Sequence, residues 1–360
     1  MRDFKECFHS CDTILIEGAL GLRLRTEYGL EPDPLVANAG FVYQEKGRVA
    51  LREIYGQYIA IAKRYELPIM LTTPTRRANR DRAEKSGWGK AVIHDNVSFL
   101  KEIRDTYINS DINSDIRSDV KADIRADIKE DIKADNRSDH FKECHETRLS
   151  GRADGNGYPD IFVGALMGCR GDAYRAEEVL SENEAYEFHS WQAELFEKEQ
   201  VDFLYAGIMP ALPEMIGMAR AMGETGLPYI ISFMIRDNGR LIDGTSIHEA
   251  ILAVEQTVRI RPVTYMTNCV HPIHLERALA QEFNQTELVR KHFQGIQANA
   301  SLLSPEELDH CCDVVSSEPI ELAREMEKLR DRYGLKIFGG CCGTNQYHME
   351  EMAKRLSKQR

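Results

Sequence analysis

The chain has no run of eighteen apolar residues, so no membrane-spanning helix is expected. Its first stretch, Met1 to Asp12, mixes Arg, Asp, Lys and Glu, lacks an apolar segment, and does not read as a secretory signal. Basic residues are in deficit. The 46 Lys and Arg against 58 Asp and Glu leave a formal net charge of -12, which argues against nucleic acid or an anionic membrane as partner. No glycine-rich dinucleotide loop occurs, which speaks against nicotinamide chemistry. A disulfide scaffold is also unexpected, because nine cysteines in 360 residues without an export signal fit a reducing cytoplasm. With 42% hydrophobic residues, the chain still has enough apolar side chain for a full core.

Short apolar, β-branched runs alternate with longer stretches of helical period, the pattern of a parallel sheet with helical crossovers. Strands are predicted at Thr13–Glu17, Pro68–Thr73, Asp160–Leu166, Val201–Ala206, Tyr229–Ile235, Val263–Asn268, Gly295–Asn299 and Lys336–Phe338. Amphipathic helices are predicted at Arg52–Tyr65 and Glu321–Tyr333 among others. Eight strands are what a closed β/α barrel needs, so one α/β domain over residues 1–360, a (β/α)8 TIM barrel, is expected in place of two domains.

One segment breaks that rhythm. From Asp111 to Asp139 a tetrad of the type Asp-Ile-Lys-Ala recurs. In a helix four residues advance about 400°, so the Ile row drifts off any one face. Opposite charges stand two or six apart, while Asp faces Asp at every fourth position, which opposes a helix. Nearly thirty residues is also too long for a strand. The stretch 105–150 therefore reads as a charged low-complexity insertion between the second helix and the third strand, a tolerated surface expansion or a partner-binding arm.

The cysteines carry the chemistry. Cys341-Cys342 lies between Gly339-Gly340 and Gly343-Thr344, just after an apolar run; Asn268-Cys269 ends another such run. Adjacent cysteines do not readily bridge each other, because a disulfide needs a larger Cα separation. Two thiolates from one turn and a third from another strand can instead converge on one ion, leaving a fourth position open as in catalytic zinc sites. Zinc-bound sulfur loses its proton and becomes a held nucleophile. Four other features read more plainly. Cys311-Cys312 suits structural thiols on a helix, and Cys7, His9 and Cys11 offer a metal-binding set but more plainly suit a frayed terminus. Cys169 is a residue that could face the pocket, and His271 and His274 are either second donors around the metal or polar residues at a helix start.

These segments resemble the homocysteine S-methyltransferase family. Ile16-Glu17-Gly18-Ala19-Leu20-Gly21 is similar to its first-strand Asp-Gly-Gly segment, and Leu71-Thr72-Thr73-Pro74-Thr75 to its Thr-Thr-Asn-Thr strand end. Ser232-Phe233 with Asp237 to Ser246 matches the turn after its fifth strand, and Asn268-Cys269 and Gly339-Gly340-Cys341-Cys342 match its two zinc segments. The resemblance implies a zinc-binding barrel that methylates homocysteine to methionine. It implies Zn2+ on Cys269, Cys341 and Cys342, and acceptor binding by Glu17, Gly18, Thr73, Ser232 and Asn268. With no room for a folate or cobalamin domain, the implied donor is small: S-methylmethionine, S-adenosylmethionine or betaine. Where the family commonly has Phe-Glu-Thr-Ile-Pro, this chain has Ala206-Gly207-Ile208-Met209-Pro210, so Gly207 replaces a carboxylate and a different small thiol is the alternative acceptor. Two further readings keep the barrel: a non-catalytic binder of zinc and thiol, and a metal-free redox pair. The sequence leaves oligomeric state open.

Overall fold

A computed structural model of the chain describes residues 2–109, 159–177, 179–303 and 316–357. Eight parallel strands close on themselves in chain order: β1 Ile14–Ile16, β2 Ile69–Thr72, β3 Ile161–Met167, β4 Phe203–Met209, β5 Tyr229–Phe233, β6 Thr264–Val270, β7 Phe293–Ala298 and β8 Ile337–Gly340. The ring shuts where Ile14 pairs with Ile337 and Leu15 with Phe338. Nearly every strand residue is buried, because helices cover the outside while side chains fill the lumen. That burial is why the strands read as continuous apolar runs in the sequence.

All eight predicted strands are present, with ends displaced by a few residues. Two of the extensions are at β4, which continues through Gly207-Ile208-Met209, and β6, which continues to Val270. Both carry register shifts, between Ala206 and Met209 and between Asn268 and Val270, so the pairing resumes past an irregularity that short-range pattern does not show. The helix expected at Arg52–Tyr65 begins earlier and spans Glu45–Arg64; the predicted stripe of Ile54, Tyr55, Tyr58, Ile61 and Ala62 is buried, and Leu51 extends it. Pro319–Tyr333 starts two residues before its prediction and ends at Gly334, whose φ of 72° suits a glycine stop.

The N-terminus departs from expectation. Phe4–Ser10 is a helix with Asp3 as its cap, and it seals the amino end of the barrel rather than fraying. Phe4, Cys7 and Phe8 pack on Met70, Phe162, Phe203 and Ile337 from the lumen, and Phe4 stacks on Phe203 with ring centroids 4.8 Å apart. Three apolar residues within one helical turn and a half supply a hydrophobic plug that outweighs terminal freedom. Cys7 and Cys11 face each other there, sulfurs 3.7 Å apart.

Residues Met1–Ile103 and Pro159–Arg360 form one compact unit, and Arg104–Tyr158 a second. In the chain that second stretch falls between the helix Ala91–Asn109 and β3, where the insertion was expected. The tetrad repeat Asp111–Asp139 and Cys311-Cys312 lie outside the described residues. Among the described residues no helix is long and apolar enough to cross a membrane.

Candidate active site

The carboxyl ends of β6 and β8 are neighbours through β7, and their irregular backbone delivers the three cysteines. Cys269 sits in the β6 register shift with φ of 62°. A non-glycine residue held there costs on the order of 1–3 kcal/mol, the kind of local strain that collects at functional sites. In β8, Gly339 and Gly340 let the chain pass where no side chain fits. A Cβ would stand 2.2 Å from the Ile16 carbonyl oxygen at Gly339 and 2.2 Å from Thr344 Oγ1 at Gly340. The turn that follows is tied on both sides. Cys341 N–H donates to Ala298 O at 2.6 Å and Ala300 N–H to Cys342 O at 2.9 Å. Thr344 hydroxyl donates to Cys341 O at 2.7 Å and accepts from Ala19 N–H at 3.1 Å.

The result is a cluster of three thiols whose sulfurs all lie within 4.8 Å of one another, with Cys269 and Cys342 3.6 Å apart. Sulfurs on a tetrahedral ion with bonds of about 2.3 Å stand about 3.8 Å from each other, so the spacing fits zinc and is far too long for a disulfide. Cys269 is buried, Cys341 half-buried and Cys342 exposed, which leaves one side open for a fourth ligand. The cluster already favours a thiolate. Hydrogen bonds from Cys341, then Cys342, and one from Tyr174 hold Cys269 well below the ordinary thiol value against the effect of burial. Sharing with that thiolate pushes Cys341 well up and Cys342 up to about 12.

Two neighbours of the cluster escaped the sequence reading. Tyr174, from the segment after β3, donates its hydroxyl to Cys269 Sγ at 3.1 Å, and Asn299 donates its amide to the same sulfur at 3.7 Å. Asn299 carried a usable signal, a polar residue at the carboxyl end of a predicted barrel strand. Tyr174 carried none.

Of the residues expected to bind substrate, Ser232 and Asn268 meet: the hydroxyl donates to Asn268 Oδ1 at 2.5 Å. Glu17 is 5% exposed, and its carboxyl accepts from Thr72 N–H at 3.0 Å and from the Thr72 hydroxyl. Burial pushes the Glu17 carboxyl up to about 8, although both Thr72 contacts pull the other way. Gly18 is a close approach, since a Cβ there would stand 2.7 Å from the Tyr58 hydroxyl. Thr73 is turned to the strand seam, its hydroxyl 2.7 Å from that of Thr75 and accepting from Leu166 N–H at 3.2 Å.

A cavity of about 290 Å³ opens on Cys269 and is walled by Tyr174, Met234, Asp237, His271, His274, Asn299 and Leu302 among others. Its walls come from the β3, β5, β6 and β7 ends and do not include Glu17, Thr73, Ser232 or Asn268. His271 caps the helix Pro272–Leu279 with its ring, accepting from Ile273 N–H at 3.3 Å, and burial with His274 nearby brings its imidazole down to about 4. It is a neutral wall of the cavity as well as a helix cap. Cys169 is buried and donates to Gly171 O at 3.6 Å, away from the sulfur cluster, and burial pushes its thiol up to about 12.

The fold and the sequence both have known relatives. A metallated homocysteine methyltransferase MmuM from Escherichia coli superposes with a TM-score of 0.68 at 16% identity, covering 97% of this chain and 98% of that one. The apo form of the same enzyme gives 0.60. Betaine--homocysteine S-methyltransferase 1 of Bos taurus is 25% identical over 196 residues, which are 50% of this chain and 46% of the bovine protein, and that of Rattus norvegicus is 24% identical over the same length. The match thus spans about half the length of these curated relatives. A sequence profile for homocysteine S-methyltransferases covers residues 14–356, almost the whole barrel, and the chain belongs to the homocysteine S-methyltransferase family.

Proposed function

We propose that this barrel is a zinc-dependent thiol S-methyltransferase that converts homocysteine to methionine. The observation that carries it is the convergence of Cys269, Cys341 and Cys342 within 4.8 Å at the carboxyl end of a barrel of this family. Those three thiolates would hold Zn2+, which when bound supplies deprotonation and fixation of the acceptor thiol. The acceptor sulfur then attacks the donor methyl in line; a sulfur–carbon bond forms, and the donor's bond to methyl breaks with its electron pair returning to the donor heteroatom. The thiol proton leaves to solvent.

The other residues bind and orient. Glu17 would hold the acceptor's ammonium, a role in which the ligand's charge would offset the burial that now raises its carboxyl. Gly18 permits close backbone approach, and the Ser232–Asn268 hydrogen bond sets the side chain that precedes Cys269. Thr73 binds β2 to β3 and so fixes Thr72 against Glu17. The donor is a small onium or sulfonium compound, S-methylmethionine, S-adenosylmethionine or betaine, and the reaction belongs to methionine synthesis in the cytoplasm. The barrel spans residues 1–360 and tolerates the segment 105–150 as an insertion.

A second acceptor is favoured by one feature. Gly207 stands where the family commonly has a carboxylate, and a side chain there would press on Leu166 at 3.1 Å and on the Tyr205 ring at 3.2 Å. A small thiol other than homocysteine, less dependent on a second carboxylate, is the alternative. The test is turnover: zinc-loaded protein is incubated with homocysteine or other small thiols and each donor, and methylated product is measured. Methionine formation supports the primary reading, and methylation of another thiol alone supports the second. Zinc binding without any product makes the barrel a binder only.

A further inference from the structure

Outside the sulfur cluster, a carboxylate and an imidazole lie buried together beneath the β3 loop. Glu214 and His189 have side chains 2% and 1% exposed, with Glu214 Oε1 3.0 Å from His189 Nε2. Burying such a pair is expensive and needs further hydrogen bonds to repay it. Glu214 finds one in the loop, accepting from Arg170 N–H at 2.7 Å. The same loop is gripped from its other side, where the Arg77 guanidinium donates to Gly171 O at 2.9 Å. Asp172 Oδ1 then accepts from Tyr174 N–H at 2.9 Å. At the end of this chain of restraints, the Tyr174 hydroxyl reaches Cys269 Sγ.

We propose that Tyr174 is a positioning residue of the three-sulfur site, donating to the Cys269 thiolate, and that the buried Glu214–His189 pair holds it there through Arg170 and Asp172. This rests on the zinc reading above. A hydrogen bond to a ligand sulfur steadies that ligand in the charged form and orientation that binding requires, and partners of this kind are worth about 10–100-fold in metal affinity. The pair acts at a distance: neither Glu214 nor His189 touches a cysteine of the cluster, and their effect passes through the backbone of one loop.

The test is zinc affinity of the full-length protein, read by competition with a chromogenic chelator, for wild type, Tyr174→Phe, Glu214→Ala and the double variant. Tyr174→Phe is expected to weaken zinc binding about 10-fold. Glu214→Ala is expected to weaken it similarly, and the double variant to be no weaker than Glu214→Ala, because both remove one interaction. Should Glu214→Ala fail to fold, Asp172→Ala at the exposed surface frees the same loop and is paired with Tyr174→Phe in its place. A Tyr174→Phe affinity within twofold of wild type overturns the proposal, and so do losses that multiply in the double variant. A merely structural Glu214 would lower the melting temperature and leave zinc affinity alone. Wild type that binds no zinc overturns the functional reading itself, whereas zinc binding equal in all variants overturns only this assignment.

Discussion

Glu17 offers the sharpest quantitative expectation. Its carboxyl is 5% exposed, raised from an ordinary 4.5 to about 8, and bonded to Thr72 through the backbone N–H and the hydroxyl. The folded state therefore binds a proton that the unfolded chain releases near 4.5. That contribution to stability is fully present below about pH 4.5 and is lost as pH rises towards 8. At about 1.4 kcal/mol per pH unit over that interval, the loss is on the order of 5 kcal/mol. Glu17→Gln removes the titration while keeping an oxygen for Thr72 N–H. Urea unfolding of both proteins between pH 5 and 9 is the assay. Wild type should lose stability relative to Glu17→Gln across that range, and the gap should level off above about pH 8.5. Equal pH slopes would show that Glu17 does not titrate where its burial says it should. On the proposed role of Glu17 in holding the acceptor's ammonium, KM for homocysteine should fall as pH rises through about 8 in wild type and stay high and flat in Glu17→Gln.

Three further outcomes follow from geometry. Gly339→Ala puts a Cβ 2.2 Å from the Ile16 carbonyl oxygen, so backbone must move; stability should drop by about 1–3 kcal/mol in urea unfolding, and zinc affinity with it. Phe4→Ala empties the plug at the amino end of the barrel and should cost about 3–5 kcal/mol, measured the same way, with methyl transfer retained in the folded fraction. Replacing residues 105–150 by a short Gly-Ser linker should leave the melting temperature and turnover of the barrel near wild type, whereas loss of folding would make that segment part of the core.

How much of this the sequence disclosed depends on the range over which each feature is encoded. The eight strands were legible because both faces of a parallel strand are buried and the apolar run is continuous, as in Ile161–Met167. The cysteine turn was legible because glycine, glycine, cysteine, cysteine in sequence has few other uses. Strand ends at Met209 and Val270 were not, since their pairing resumes only past irregularities set by neighbouring strands. The sealing role of Phe4–Ser10 was hidden for a similar reason, because a terminal helix shows its purpose only against the lumen it closes. Tyr174 is the extreme case: its contact with Cys269 joins residues 95 apart through a loop fixed by Glu214 and Arg77. Thr73, by contrast, was visible as a hydroxyl at a strand end, but its direction depended on Thr75 and Leu166.

The central claim is that three thiols from two distant segments of the chain hold one ion at the mouth of this barrel. Elemental analysis of purified wild type and Cys269→Ser, expressed with zinc in the medium, tests it most directly. The account predicts about one zinc per chain in wild type and its near-complete loss in Cys269→Ser, with the fold kept in both. Wild type without bound metal, or the same zinc content in the two proteins, would contradict it.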